Sequence, residues 1–203
     1  MNIWIKLHVY IKSQMKNEKQ SSEKGENMDY FLLRQDERCS YVPRILDWFN
    51  RINVKNLNLE NAYKVKDETI FYINSDSSNN YYDILDNQLY LVSEEMKKIL
   101  EKCNPNIIFK MAVLTDFKNS KQAIYYIPIF EEIEALSEDA QMNLNKTVVK
   151  ELMLNEDKIK NKKIFKLKES SRTMVIVRLD VAESILRRDF NGVKLEKVEI
   201  RSR

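Results

Sequence analysis

Apolar residues alternate with polar ones over Ile3, Ile5, Leu7, Val9 and Ile11, the period-two pattern of a half-buried strand. From Ser13 to Asn27 the chain is polar and charged without a sustained apolar period and reads as a linker. Residues 1–27 are therefore expected to form an N-terminal arm or linker, and residues 28–203 the folded body. Met28 to Arg34 is a compact apolar run that predicts the first strand of that body. Val42, Ile45, Leu46 and Phe49 sit at helical spacing, with Pro43 where a first helical turn tolerates it, and predict a short helix. Thr69 to Ile73 is β-branched and aromatic, a strand closing on the turn-prone stretch Asn74 to Asn80.

The pattern is clearest from Leu89 onward. Leu89 to Val92 predicts a strand, Ser93 an N-cap, and Glu94 and Glu95 a first turn placed well against the positive helix end. Met96, Ile99, Leu100 and Cys103 form one stripe, Asn104-Pro105 ends the helix, and Ile107 to Leu114 is the next strand. Met174 to Val177, a helix capped by Asp180 and carrying Val181, Ser184, Ile185 and Arg188, and a strand from Val193 to Ile200 repeat the arrangement, with Gly192 at a position that favours left-handed backbone. The two units lie about 85 residues apart, which suggests a strand-helix-strand pseudo-duplication and equally fits a chance recurrence of a common unit. Further strands are expected at Ala123–Phe130, where Pro128 implies an edge or a bulge, and at Thr147–Leu154 and Ile164–Leu167. The fold class expected is α+β: a single domain with a mixed or antiparallel sheet and about three packed helices.

Composition narrows the chemistry. The 203 residues include 43% hydrophobic and 32% charged positions, a balance that folds. With two glycines, a phosphate-cradling loop is excluded as a working hypothesis. Cys39 and Cys103 are the only cysteines and stand far apart, so neither a disulfide framework nor a thiolate metal site is suggested, and a reducing cytoplasm fits. No apolar run is long enough to span a bilayer. The single histidine, His8, lies in the arm, which leaves the body without an imidazole for a nucleophile-base pair or a zinc site. The net charge of +3 gives no broad field for nucleic acid.

Asp83, Asp86 and Glu95-Met96-Lys97 resemble the Asp plus Glu-x-Lys pattern of magnesium-dependent nucleases, but Glu95 belongs to a helix start, where the dipole accounts for it. Lys158, Lys160, Lys162 and Lys163 read as a solvated loop, and the tyrosine pairs Tyr81-Tyr82 and Tyr125-Tyr126 as sheet residues with one ring in and one out. Glu183 and Arg187 stand four apart on the last helix with Arg188 beside them, either an exposed ion pair or anchors for a protein partner. No catalytic, cofactor or metal residue is assigned. The chain reads as a protein-binding module, with a carboxylate-based metal-dependent hydrolase or a regulatory nucleic-acid binder as alternatives.

Tyr30-Phe31-Leu32-Leu33 with Asp36-Glu37-Arg38-Cys39-Ser40, Val42 to Phe49, Leu91-Val92-Ser93, Asn106 to Lys110, Tyr126 to Ile129 and Val177 to Arg188 with Gly192-Val193 resemble a bacterial family of polymorphic-toxin immunity proteins, formerly a domain of unknown function. The similarity runs from about Met28 to Ile200. It implies a cytoplasmic protein that binds and neutralises a cognate toxin, and it carries no site residue with it.

Overall fold

A computed structural model describes residues 28–201; the alternating segment at 3–11 and the linker at 13–27 lie outside the described residues. In chain order the elements are β1 (Tyr30–Gln35), α1 (Trp48–Arg51), β2 (Glu68–Tyr72), β3 (Ile84–Leu85), β4 (Leu91–Val92), α2 (Glu94–Cys103), β5 (Ile108–Asp116) and β6 (Lys121–Ile129). There follow β7 (Glu132–Ile133), β8 (Gln141–Met142), β9 (Val149–Glu151), β10 (Met153–Asn155), α3 (Glu156–Ile159), β11 (Ile164–Leu167), β12 (Val175–Arg178), α4 (Leu179–Leu186) and β13 (Val193–Arg201). The architecture is α+β with mixed sheets.

Helix α2 forms where its residues dictate. Ser93 Oγ accepts the Met96 N–H at 3.2 Å, Glu94 and Glu95 occupy the first turn, and Asn104 closes the helix ahead of Pro105. Its buried stripe is Met96, Ile99 and Leu100, each worth about 1.5–3 kcal/mol once removed from water. Helix α4 differs from expectation at its start. Arg178 is the capping position, and Asp180 lies in the first turn, where it takes two hydrogen bonds from the Arg178 guanidinium at 2.8 Å.

The strands form a five-stranded sheet in the order β2-β5-β6-β4-β3, a six-stranded sheet in the order β10-β13-β1-β12-β11-β7, and the ribbon β8-β9. Set side by side, five strands of each large sheet share one topology, with β7 an additional strand beside β11 in the second. In the first, β4 and β5 flank β6, both antiparallel to it, and are linked by α2; β3 pairs antiparallel with β4 and β2 parallel with β5. In the second, β12 and β13 flank β1, both antiparallel to it, and are linked by α4; β11 pairs antiparallel with β12 and β10 parallel with β13. Backbone contacts agree in detail: Ser93 N–H donates to the carbonyl of Asp83, just before β3, and Arg178 N–H to that of Lys163, just before β11, at 2.9 and 2.8 Å. The pseudo-duplication is thus present in the fold, with β1 from the other end of the chain in the place that β6 takes in the first unit.

Both units turn one face to a shared core. Phe31 and Leu33 of β1, Val175 and Val177 of β12, Ile84, Val92, the α2 stripe, and Val181, Ala182 and Ile185 of α4 pack in one cluster. The outer face of the five-stranded sheet buries Phe71, Leu114, Tyr125 and Ile127 under residues 42–65, and that of the six-stranded sheet buries Tyr30, Phe165 and Ile176 with Leu154 and Ile159. A reciprocal pair bridges the sheets: Gln35 N–H donates to Asp86 Oδ2 at 3.0 Å and Asp86 N–H to Gln35 Oε1 at 3.2 Å.

Three local expectations are corrected. Residues 42–47 are not helical, because Ile45 is drawn into an antiparallel bridge with Ile73 and its N–H and C=O are taken by the Gln88 side chain at 2.7 and 2.8 Å, so only Trp48–Arg51 winds up. The stretch 147–154 is split into β9 and β10 instead of forming one strand. Strand β6 is central and runs unbroken through Pro128; β4 meets it only at Val92↔Tyr126, so beyond Tyr126 no strand among the described residues lies on that side of β6.

Gly192 is left-handed, with φ of 74°, and lies six residues past the last residue of α4, at the turn into β13. A Cβ there would meet Tyr82 side-chain carbons at 2.6–2.7 Å, and the Gly192 carbonyl accepts the Asp36 N–H at 2.9 Å. Gly192→Ala should destabilise the protein by about 3 kcal/mol, combining backbone strain with overpacking, read as a lower urea midpoint at unchanged slope. Adding Tyr82→Ala should recover only the packing share, since the positive φ remains.

Candidate protein-binding surface

The carboxylates singled out in the sequence are engaged separately. Asp83 accepts from Ser93 Oγ at 2.5 Å and from the Asn191 N–H at 2.7 Å, tying the start of α2 to the turn before β13. The Asp86 carboxyl is half of the bridge between the sheets, and burial pushes its pKa up. Glu95 pairs with Lys98 at 2.7 Å in solvent, and the Lys97 ammonium lies over the Tyr126 ring, 4.5 Å from its centroid. Among the described residues no group of three or more His, Cys, Asp or Glu is placed to hold a metal ion. Cys39 and Cys103 are free, half-buried thiols whose pKa burial raises.

The lysine-rich stretch is a structural loop in part: Lys162 pairs with Glu131 at 2.6 Å, and Lys158 Nζ reaches the Leu136 carbonyl at 3.1 Å. Of the tyrosine pairs, Tyr125 is buried and donates to the Tyr82 carbonyl at 2.7 Å, while Tyr81 is exposed. Glu183, Arg187 and Arg188 gather at the end of α4. Arg187 Nη2 meets Glu183 Oε2 at 3.3 Å, and Arg188 turns back onto the Ser184 carbonyl. Such a helix-end pair, with Arg187 largely exposed, contributes at most a few tenths of a kcal/mol.

A different region stands out by what it leaves uncovered. Of fourteen large apolar side chains exposed among the described residues, eight fall between residues 41 and 72: Tyr41, Leu46, Phe49, Val54, Leu59, Tyr63, Ile70 and Tyr72. Leu46 and Phe49, which helical spacing would set on an inward stripe, are 57% and 65% exposed because the bridge at Ile45 turns the following residues outward. Charged residues of both signs accompany them. Residues 41–72 hold five basic residues, Arg44, Arg51, Lys55, Lys64 and Lys66, against Asp47, Glu60, Asp67 and Glu68, an excess of one. Arg51 bonds Asp47 at 2.7 Å and lies 4.9 Å from the Tyr72 ring centroid. Exposed aromatic, aliphatic and arginine side chains are the residue types favoured in protein interfaces. The helical period of 42–49 and its basic residues were visible in the sequence, but the outward turn of Leu46 and Phe49 was not, because the Ile45–Ile73 bridge is long-range.

A family model described as "Immunity protein family (Imm11)" matches residues 9–200. The chain belongs to the Imm11 immunity protein family. The Imm11 match begins at residue 9, ahead of the Met28 start expected from the sequence motifs, so part of the N-terminal segment falls within the family's span. No curated protein matches the chain. No helix among the described residues of this Imm11 member is long and apolar enough to cross a membrane.

One charged turn in the Imm11 chain sets a pH test. Arg38 hydrogen-bonds both oxygens of the little-exposed Asp36, with Nε to Oδ1 at 2.9 Å, and holds that carboxyl at a pKa of about 2. A carboxylate with a depressed folded pKa stabilises above its unfolded value near 4 and loses that contribution as pH falls toward 2. Arg38→Ala should therefore lower stability slightly at pH 6, since Arg38 is well solvated, and the difference should vanish on acidification through pH 4 to 2. Urea titrations of both proteins across that range measure it.

Proposed function

We propose that the chain is a cytoplasmic immunity protein that neutralises a cognate toxin by binding it stoichiometrically, and that it performs no catalysis of its own. The observation that carries the reading is the immunity-family match over residues 9–200. Two features support it. The carboxylates are committed one by one to helix capping, sheet bridging and surface pairing, and eight of the large apolar side chains left exposed fall within residues 41–72. A neutralising binder needs a rigid scaffold and one complementary surface, with charge on the rim to set partner choice.

The test is co-expression with the toxin domain encoded by the adjacent gene. The chain should restore growth to cells poisoned by that domain and co-elute with it at one-to-one stoichiometry. Absence of both protection and co-elution refutes the reading. The same preparation, assayed with magnesium on nucleic-acid substrates, should show no turnover that Asp83→Ala abolishes.

A further inference from the structure

The two units share a topology but differ at one edge. In the six-stranded sheet the edge strand β10 is closed along its length: Leu136 bridges Leu154, Ser137 N–H donates to the Met153 carbonyl, and Asn155 N–H to that of Ala135, both at 2.9 Å. The five-stranded sheet has the same closure at β2, made by Ile45 and Ile73, with Leu46 N–H on the Tyr72 carbonyl and Asn74 N–H on that of Arg44. There it lies at the far end of the strand. β2 is five residues long where β10 is three, and no strand pairs with its outer side from Glu68 to Phe71 among the described residues.

The free backbone groups can be named. Asp67 accepts from Met111 N–H and Ile73 donates to Thr115, so these odd-numbered residues face β5; the Tyr72 carbonyl faces outward to Leu46. Backbone direction alternates along a strand, so the N–H and C=O of Glu68 and Ile70 also point outward.

The side chains at this edge are as distinctive. Ile70, Val113 and Ile124 stand in register across β2, β5 and β6, and the outer two are 43% and 53% exposed. In the second unit the matching row is Asp29, Glu199 and Met153, in which Asp29 pairs with Lys197 at 2.9 Å. One unit thus has two acids and a buried methionine in this row and a closed edge, the other an apolar row running out to an open edge. Beyond β2 an open groove separates it from α1, with Asn50, Arg51 and Lys66 on its wall along with Asp47. In the groove Arg51 and Lys66 balance Asp47 and Glu68, and the segment 42–65 that packs over the outer face of the sheet adds Arg44, Lys55 and Lys64 against Glu60.

We propose that the outer edge of β2 is the docking site for an extended segment of the partner toxin, which adds as a strand beside Glu68–Phe71 and whose side chains alternate apolar and acidic. This rests on the immunity reading for the identity of the partner. Main-chain bonds go to Glu68 and Ile70, apolar side chains continue the row from Ile124 through Ile70, and acidic ones face Arg51, Lys66 and the basic residues of segment 42–65.

Two probes test it with the full chain. The first is the toxin domain encoded by the adjacent gene. Ile70→Pro removes an N–H that points away from the β2–β5 ladder, and Ile70→Lys places a charge on the edge; both should keep the thermal transition of the parent and bind about 30-fold more weakly or worse. Arg187→Ala and Arg188→Ala should bind as the parent does. The second probe is an eight-residue peptide of alternating valine and aspartate, capped at both ends. At about 1 mM it should shift the backbone amide signals of β2 and slow exchange at Glu68 and Ile70, whereas its lysine counterpart should not, nor should either peptide act on Ile70→Pro. Toxin binding that is indifferent to both Ile70 variants, or a valine-aspartate peptide that leaves β2 unperturbed, overturns the docking site. If the parent chain fails to bind the toxin domain, the immunity reading falls, and the peptide alone decides whether the edge accepts a strand.

Discussion

The fold depends on a gap that one strand must fill. A parallel pair joined through a helix, such as β12-α4-β13, can be adjacent; here β12 and β13 stand one strand apart, and β1 closes the gap with an antiparallel ladder on each side. β1 also supplies Phe31 and Leu33 to the core common to both sheets, and its last residue and the one after it, with Gln35 on Asp86 and Asp36 on Gly192, fasten that core to both units. The second unit cannot form its sheet from contiguous residues, since its central strand precedes the whole of the first unit. Closure therefore waits on pairing Tyr30 with Val198 across most of the chain, a non-local contact of the kind that slows folding.

How much of this was legible in the sequence follows from the range of the forces involved. Helix α2 was readable to the residue at its start because its signals are local: a serine hydroxyl within reach of the third amide, two acids in the first turn, an apolar stripe, and proline after the end. β1, β11 and β13 were readable from apolar alternation or runs alone. The segment 42–49 misled because its helical period is genuine but weaker than the bridge to Ile73 and the two bonds from Gln88, neither visible in a local window. Pro128 in β6 misled for a related reason: the proline rule concerns the strand alongside, and where β4 ends was not readable from the sequence.

The candidate surface was less legible than the fold. The sequence drew attention to Glu183, Arg187 and Arg188 because arginines at helical spacing are conspicuous, and the structure brings them together as an exposed helix end. The β2 edge carries no such sign. Thr69 to Ile73 read as a strand of ordinary composition, and what sets Glu68 and Ile70 apart is that no strand among the described residues pairs with their outer side, a property of topology.

An open edge with Ile70 and Tyr72 on it, and without lysine or proline within Glu68–Tyr72, lacks the usual guards against sheet-to-sheet association. Its openness is not a necessity of the topology, because the second unit closes the equivalent edge with three residues, 135–137. What limits the hazard is length. The bridge at Ile45–Ile73 stops an incoming strand at Tyr72, Glu68 places a charge at the other end, and Arg51 covers the Tyr72 ring, so only two residues offer outward backbone groups. Two such residues are too few to hold a second copy of the chain by main-chain bonding alone. A partner that binds there must add side-chain contacts along the apolar row and with the basic residues of segment 42–65, and that requirement turns a short open edge into a selective one.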